Sequence, residues 1–357
     1  MPAVRRRSHN AGVRALLLGL LAAALTAAAP ASPVRPSSPL PAPALGVALN
    51  LDPSASAAER QEAVDTVRRT GAAFFELTLS WSAAEPSPRR YALDDVTRTA
   101  RLLRQSGATL QLDIPLVTES GRDVPADLAG VAFDDPKLSL RLGKLLDALA
   151  PVLLDIQTVS LGEAADVYFA DKPEELRAYR RLFDGAVLFL KKKAPRVLVG
   201  VTTLAPSESP APDVAALLHQ RSPLLLYIYC PFVRGKAFQQ RGPEDLDKDW
   251  AQLLKAAGER PIGFPAVSYS SSPENGSSPS KQADFVKRLR RFVGRADGRR
   301  LLFARYVALR DTPVEAGPEG AADEGPAKRR AAFLSNRGLE TAGGDPKAAW
   351  LEWVRTP

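Results

Sequence analysis

Residues 153–203 read LLDIQTVSLG, EAADVYFAD, KPEELRAYRRLFDGAVLFLKKK, AP and RVLVGVTT in succession. A short apolar run (153–162) is followed by a helix-length segment (172–193) and then by a β-branched run (196–203). This is strand, helix, strand, with a connection long enough to cross between parallel strands. The alternation extends both ways along the chain. Upstream, strands are expected at residues 45–50, 73–79 and 109–114, and helices at 57–70, 93–106 and 136–149. Downstream, strands at 224–229, 261–267 and 301–309 alternate with helices at 213–219, 243–257, 280–292 and 345–354. Eight strand–helix pairs joined by right-handed crossovers predict an α/β fold, a single (β/α)8 TIM barrel. A doubly wound sheet would want a glycine-rich loop after the first strand, and Asn50-Leu51-Asp52-Pro53-Ser54 has no glycine.

The ends of the chain set the compartment. Residues 1–31 carry Arg5, Arg6, Arg7 and Arg14, an apolar run at 15–29, and the small-x-small sequence Ala29-Pro30-Ala31. That order predicts a signal peptide, with a retained anchor as the alternative. The apolar run falls short of the about 20 residues of a membrane span. An exported protein, periplasmic or extracellular, is expected, without a lipid-modified cysteine or an integral membrane domain beyond the signal sequence. Residues 32–44 are rich in Pro, Ala and Ser and read as an extended linker. The barrel is expected to occupy residues 45–357.

Composition narrows the chemistry. The chain has 48 Lys+Arg against 40 Asp+Glu, and removing residues 1–31 deletes four arginines and no acid, which leaves 44 against 40, or +4. The basic run at 287–300 reads as one solvated helix face, so no nucleic-acid partner is expected. Cys230 is the only cysteine, which excludes an internal disulfide. With only His9 and His219, a histidine metal site or a Ser-His triad is not expected, and neither a metal nor a cofactor is implied. The Ala/Gly/Glu-rich stretch at 314–330 has no period and is expected to be a mobile loop after the eighth strand.

In a (β/α)8 barrel the chemistry sits at the C-terminal ends of the strands. After the second strand comes Trp81-Ser82-Ala83-Ala84-Glu85-Pro86, then Tyr91. The fourth ends Gly162-Glu163-Ala164-Ala165-Asp166-Val167-Tyr168, the sixth Tyr229-Cys230-Pro231, and the seventh Pro265-Ala266-Val267-Ser268-Tyr269-Ser270-Ser271-Ser272. Further on come Ser277 to Val286 and Phe333 to Trp350. Together, in order and spacing, these segments resemble those of clan-A glycoside hydrolases, retaining (β/α)8 enzymes. The similarity spans nearly the whole mature chain, although no single motif is strongly specific. The resemblance implies that the fourth-strand Gly-Asn-Glu-Val-Asp-x-Tyr segment holds the acid/base and the seventh-strand Gln-Glu-x-Gly-Tyr segment the nucleophile. Aligned without a gap, Ala164 stands at the first place and Ala266 at the second.

Alanine can neither donate a proton nor attack an anomeric carbon, and retaining cleavage needs two carboxyls about 5–5.5 Å apart. The first expectation is therefore a glycan-binding barrel that has lost hydrolysis, its partner a polysaccharide or oligosaccharide. Trp81, Tyr168, Tyr229 and Tyr269 would stack on sugar faces, and Asp113, Glu163 and Asp166 would bind hydroxyls. Trp81 reads equally as a core tryptophan. A one-residue bulge would instead slide Glu163 into the acid/base place, giving an active glycosidase with a non-standard partner. Glu274, Glu76 and Asp113 are the acids in question, unless the strand carboxylates pair with Arg305. A third alternative is a scaffold protein of the envelope.

Overall fold

The computed structural model describes residues 42–49, 56–313 and 325–355. The expected signal peptide, most of the expected linker and residues 314–324 lie outside them. Eight barrel strands follow in chain order: β1 (Ala44–Val47), β2 (Phe74–Thr78), β3 (Thr109–Asp113), β4 (Thr158–Ser160), β5 (Leu198–Leu204), β6 (Leu224–Tyr229), β7 (Ile262–Val267) and β8 (Leu301–Tyr306). They form one parallel sheet in the order 1-8-7-6-5-4-3-2. The remaining seam, between β1 and β2, is joined where the Ala73 N–H donates to the Leu45 carbonyl at 2.7 Å. The result is a nearly closed (β/α)8 barrel.

The helices are α1 (Ala57–Arg69), α2 (Asp94–Gln105), α3 (Pro136–Ala148), α4 (Pro173–Lys193), α5 (Pro212–His219), α6 (Asp245–Ala257), α7 (Pro279–Arg295), α8 (Gly325–Ser335) and α9 (Ala348–Val354). α4 shows how the sequence sets them. Pro173 opens it with a preset φ, Glu174 and Glu175 face the positive end of its dipole, and Lys191, Lys192 and Lys193 the negative end. Leu176, Tyr179, Phe183, Ala186 and Leu190 recur every three or four residues and are all buried against the barrel.

Inside the barrel, small and large residues alternate between strands. Phe74 and Phe303 stack across the lumen with ring centroids 3.9 Å apart. Gly263 makes room for this: a Cβ there would lie 2.4 Å from the Phe303 ring. The core layer is therefore packed, and the lumen is not a channel.

Three expectations are corrected. The fourth strand is shorter than 153–162, because Pro151 opens a further helical turn, Ala150–Leu153. Residues 325–330 of the expected loop at 314–330 are instead the start of α8, whose Phe333 is buried and packs against Phe232 and Phe238. β1 begins at Ala44, so the expected linker ends one residue early. Two short helical turns, Trp81–Ala84 and Ala165–Tyr168, and a hairpin, Val117–Thr118 with Gly121–Arg122, sit at strand ends. They decide which side chains reach the mouth.

Candidate functional site in the barrel mouth

At the C-terminal end of the barrel, Glu76, Asp113, Glu163, Thr202, Ile228, Pro265, Ala266 and Arg305 line one cavity of about 20 Å³. Four of these are charged or titratable, and they come from β2, β3, the end of β4 and β8. Glu76 and Arg305 form an ion pair, with side chains only 9% and 18% exposed. Gln111 donates to the second oxygen of Glu76 at 2.8 Å, and Arg305 Nε donates to the Pro265 carbonyl at 2.6 Å. The pairing of a strand carboxylate with Arg305, raised by the sequence, is present. Burial raises the Glu76 pKa, Arg305 pulls it back, and the Glu163 charge adds to the rise.

Asp113 is 5% exposed, and its Oδ1 has no hydrogen-bond partner. Burial pushes its pKa well above the ordinary carboxylate value, and the charges of Glu76 and Glu163 push it the same way. Glu163 sits at the exposed rim of the cavity, its backbone N–H held by the Val117 carbonyl at 2.9 Å. Its carboxyl lies close enough to the barrel end for burial to raise its pKa too, with Arg305 opposing and Glu119 reinforcing.

The other residues singled out by the sequence go elsewhere. Ala266 does line the cavity, on the β7 wall. Ala164 does not. It is buried at left-handed backbone angles (φ 47°, ψ 40°) and opens the turn Ala165–Tyr168. That turn carries Asp166 and Tyr168 away from the mouth. Asp166 is fully buried and accepts from the Leu204 N–H at 2.9 Å and from the Ser209 hydroxyl, so it ties the end of β5 to its loop instead of reaching a ligand. Replacing it with Asn keeps the acceptor for Leu204 and a polar partner for Ser209. Asp166→Asn is expected to cost about 1 kcal/mol of stability, read from urea unfolding.

None of the four aromatic residues presents a free ring face. Tyr168 is 8% exposed; its hydroxyl donates to Glu175 at 2.9 Å and Lys172 covers its ring. Tyr229 is fully buried between barrel and helices, stacked near Phe285, with its hydroxyl donating to Asp249 at 2.9 Å. Tyr269 is fully buried and donates to the Arg241 carbonyl at 2.6 Å. Trp81 is fully buried, and its indole N–H donates to Glu85 at 2.9 Å. The stacking platform expected of these residues is therefore not formed by them. Each belongs to the layer between strands and helices, where its hydroxyl or indole N–H meets a partner.

Glu274 lies in an exposed turn and pairs with Lys328 of α8 at 3.2 Å, outside the mouth. His219 ends α5, buried, with Nε2 at 3.1 Å from the Val201 carbonyl; burial pushes its pKa down to about 4. Sequence reasoning missed Glu208. Its side chain is 2% exposed, it accepts from the Cys230 N–H at 2.7 Å, and its Oε1 has no hydrogen-bond partner. Burial lifts its pKa to about 8. Nothing in Pro206-Ser207-Glu208-Ser209-Pro210 distinguishes it from a surface loop acid.

No sequence family and no curated protein matches the chain in sequence. Solved structures do match in shape. A GH5_18 from Streptomyces cattleya in complex with GlcNAc shares 14% identity over 88% of this chain and 79% of its own, with a TM-score of 0.64. A variant GH5_18 from Bifidobacterium longum subsp. longum, bound to Manβ1-4GlcNAc, shares 14% over 87% and 77%, with a TM-score of 0.60. A family 39 glycoside hydrolase from Bacteroides cellulosilyticus shares 13% over 88% and 63%, with a TM-score of 0.63. At these identities the likeness is one of fold: the chain is a single (β/α)8 barrel of the shape these glycoside hydrolases have.

Proposed function

We propose that this chain is an exported, glycoside hydrolase-like barrel protein that binds an oligosaccharide or polysaccharide and does not hydrolyse it. The observation that carries the reading is the filled mouth. The Glu76–Arg305 ion pair occupies it, Ala266 forms the β7 wall, and the space left is about 20 Å³. That is room for about one water, and far too little for a sugar ring sunk between two carboxyls. With alanine on the β7 wall, no side chain there can attack an anomeric carbon. A glycan would lie across the rim, with Glu163 as a hydrogen-bond acceptor for it. The two GH5_18 structures that hold GlcNAc and Manβ1-4GlcNAc support a glycan as the ligand class. The basic, apolar and small-residue order of residues 1–31 supports export.

A second reading is an active glycosidase with Glu163 as acid/base. It is favoured by one observation: Glu163 lines the same cavity as Asp113 and Glu76, and all three have raised pKa values. The two readings separate cleanly. The chain from Ser32 onward is incubated with Manβ1-4GlcNAc and a panel of plant and bacterial polysaccharides, and products are read by mass spectrometry. No product is expected, with Glu163→Gln indistinguishable from the parent. Product that disappears in Glu163→Gln would establish the enzyme and overturn the binding reading.

A further inference from the structure

The end of the barrel opposite the mouth is basic. Each helix runs back along the strand before it, so the last turns of the helices and the first residues of the strands share that end. The last turns of α1, α2, α4, α6 and α7 all carry cations there, Lys191 to Lys193 and Arg295 among them. The helix dipole favours a cation at each of these places and accounts for them one by one. It does not account for the groove between α7 and α9. This groove, of about 390 Å³, is lined by five cations, Lys287, Arg290, Arg291, Arg295 and Arg355, against one acid, Glu352. Lys287, Arg291 and Arg295 stand at i, i+4 and i+8 on one face of α7, a spacing at which like charges weaken a helix. Arg291 is offset by Asp247 at 3.0 Å and Arg355 by Glu352 at 2.9 Å. Arg290 donates to the Glu352 carbonyl at 3.2 Å and to those of Trp353 and Arg355, so it closes the end of α9 without meeting a carboxylate. Lys287 and Arg295 are exposed and have no ion pair among the described residues. Between them the groove is open: a Cβ added at Gly294 would meet nothing within 4 Å.

We infer that this end of the barrel docks on an anionic phospholipid bilayer, with a headgroup phosphate in the groove between Lys287 and Arg295. Three features favour a bilayer over a soluble polyanion. The groove holds positive charge that no carboxylate of the protein offsets, and a phosphate supplies the missing counter-charge. Apolar side chains stand beside the cations: on α9, Leu351 is 58% and Val354 is 41% exposed, and Leu351 lies one turn from Arg355 of the groove. Cations next to exposed apolar side chains suit the boundary between headgroups and acyl chains, and a soluble polyanion has no use for the leucine. The third feature is the path of the chain. β1 starts at Ala44, at this same end, and only fourteen residues, 30–43, separate it from the apolar run at 15–29. A membrane that receives that run therefore meets this end of the barrel first. Docked in this way, the barrel turns its mouth away from the bilayer.

The test uses the chain from Ser32 onward, which contains every described residue and lacks the apolar run. It is sedimented with vesicles of phosphatidylcholine alone and of phosphatidylcholine mixed equally with phosphatidylglycerol, at low and at high salt. Binding is expected to the mixed vesicles only, and to weaken with salt. Each cation near such a surface is worth about fivefold in affinity, so Lys287→Gln with Arg295→Gln is expected to weaken binding about tenfold or more. Arg90→Gln with Lys137→Gln removes the same charge from exposed places near the mouth and is expected to change little. Leu351→Ser is expected to weaken vesicle binding several-fold while leaving binding of inorganic polyphosphate unchanged. All the substituted side chains are exposed, so the variants should fold as the parent does, which circular dichroism checks. No binding to the mixed vesicles, or equal binding to both kinds, would overturn the inference. An equal loss in the mouth-end variant would reduce the effect to net charge and remove the groove from it. Vesicle binding untouched by Leu351→Ser would make the partner a soluble polyanion and sink the bilayer assignment. None of these outcomes bears on whether the mouth binds a glycan.

Discussion

Glu85→Ala is expected to lower the stability of the barrel by about 3–5 kcal/mol, the cost of stranding a buried cation. Glu85 is fully buried and gathers four donors: the Trp81 indole at 2.9 Å, the Arg89 backbone N–H at 2.6 Å, and Arg141 Nε and Nη2 at 3.1 and 2.8 Å. Arg141, on α3, is itself only 10% exposed and keeps one further partner, Asp127, at 3.0 Å. Removing Glu85 leaves the guanidinium in a poorly solvated place with one half-exposed counter-charge, and leaves the indole N–H unpaired. For a barrel of this size, each kcal/mol moves the thermal midpoint by about 2 °C, so a fall of roughly 6–10 °C is expected in a thermal melt. Arg141→Met in the same background should recover most of that loss, because an apolar residue in place of the cation removes the unpaired charge. Failure of the double variant to recover would mean that the lost indole and backbone contacts, not the charge, dominate.

Between about pH 6.5 and pH 8 the folded state is expected to lose about 2 kcal/mol through Glu208. The Glu208 pKa rises from 4.5 to about 8, mainly by burial and then by the neighbouring Asp249 charge, against the pull of the Cys230 N–H and Arg241. A raised carboxyl pKa means the folded state holds a proton that the unfolded state releases. Its contribution is complete below 4.5, shrinks by about 1.4 kcal/mol per pH unit above it, and is gone above about 8. His219 runs the other way. Its pKa falls from 6.5 to about 4, so the unfolded state binds the extra proton and stability rises with pH over that interval. The two slopes oppose each other between 4.5 and 6.5, and the net fall emerges only above 6.5. Urea unfolding at pH 6.5 and 8 measures it. Glu208→Gln should remove about 2 kcal/mol of that difference, and an unchanged slope would place the proton elsewhere.

Most of the scaffold could be read from residue order. The strand over Leu224–Tyr229 and the helices over Pro136–Ala148 and Pro173–Lys193 lie within a residue of where apolar runs, prolines and charged ends place them. The site was less legible. Glu163, Asp113, Glu76 and Arg305 stand at strand ends in the sequence, and they do meet in the cavity. The four aromatic residues and Asp166 stand beside the same strand ends, and they do not reach the mouth. Past the end of a strand the two-residue alternation that aims side chains no longer applies. A single helical turn starting at the left-handed Ala164 is enough to swing Asp166 and Tyr168 into the packed layer between strands and helices.

The sequence alone determined the barrel, because alternating strands and helices are set by patterns only a few residues long. The tertiary structure alone decided what fills the mouth. Glu76 and Arg305 are 229 residues apart in the chain, and only closure of the sheet through β8 and β1 makes them partners. Burial and counter-charge are properties of that closed end, and they depend on neighbours that no local pattern encodes. Glu208 looks like an ordinary loop acid in the sequence, and no local pattern sets the titration of Asp113 and Glu163 apart from that of other carboxyls. Their raised pKa values, and the acceptor-rich cavity two of them line, come from the low-dielectric surroundings the closed barrel builds around them.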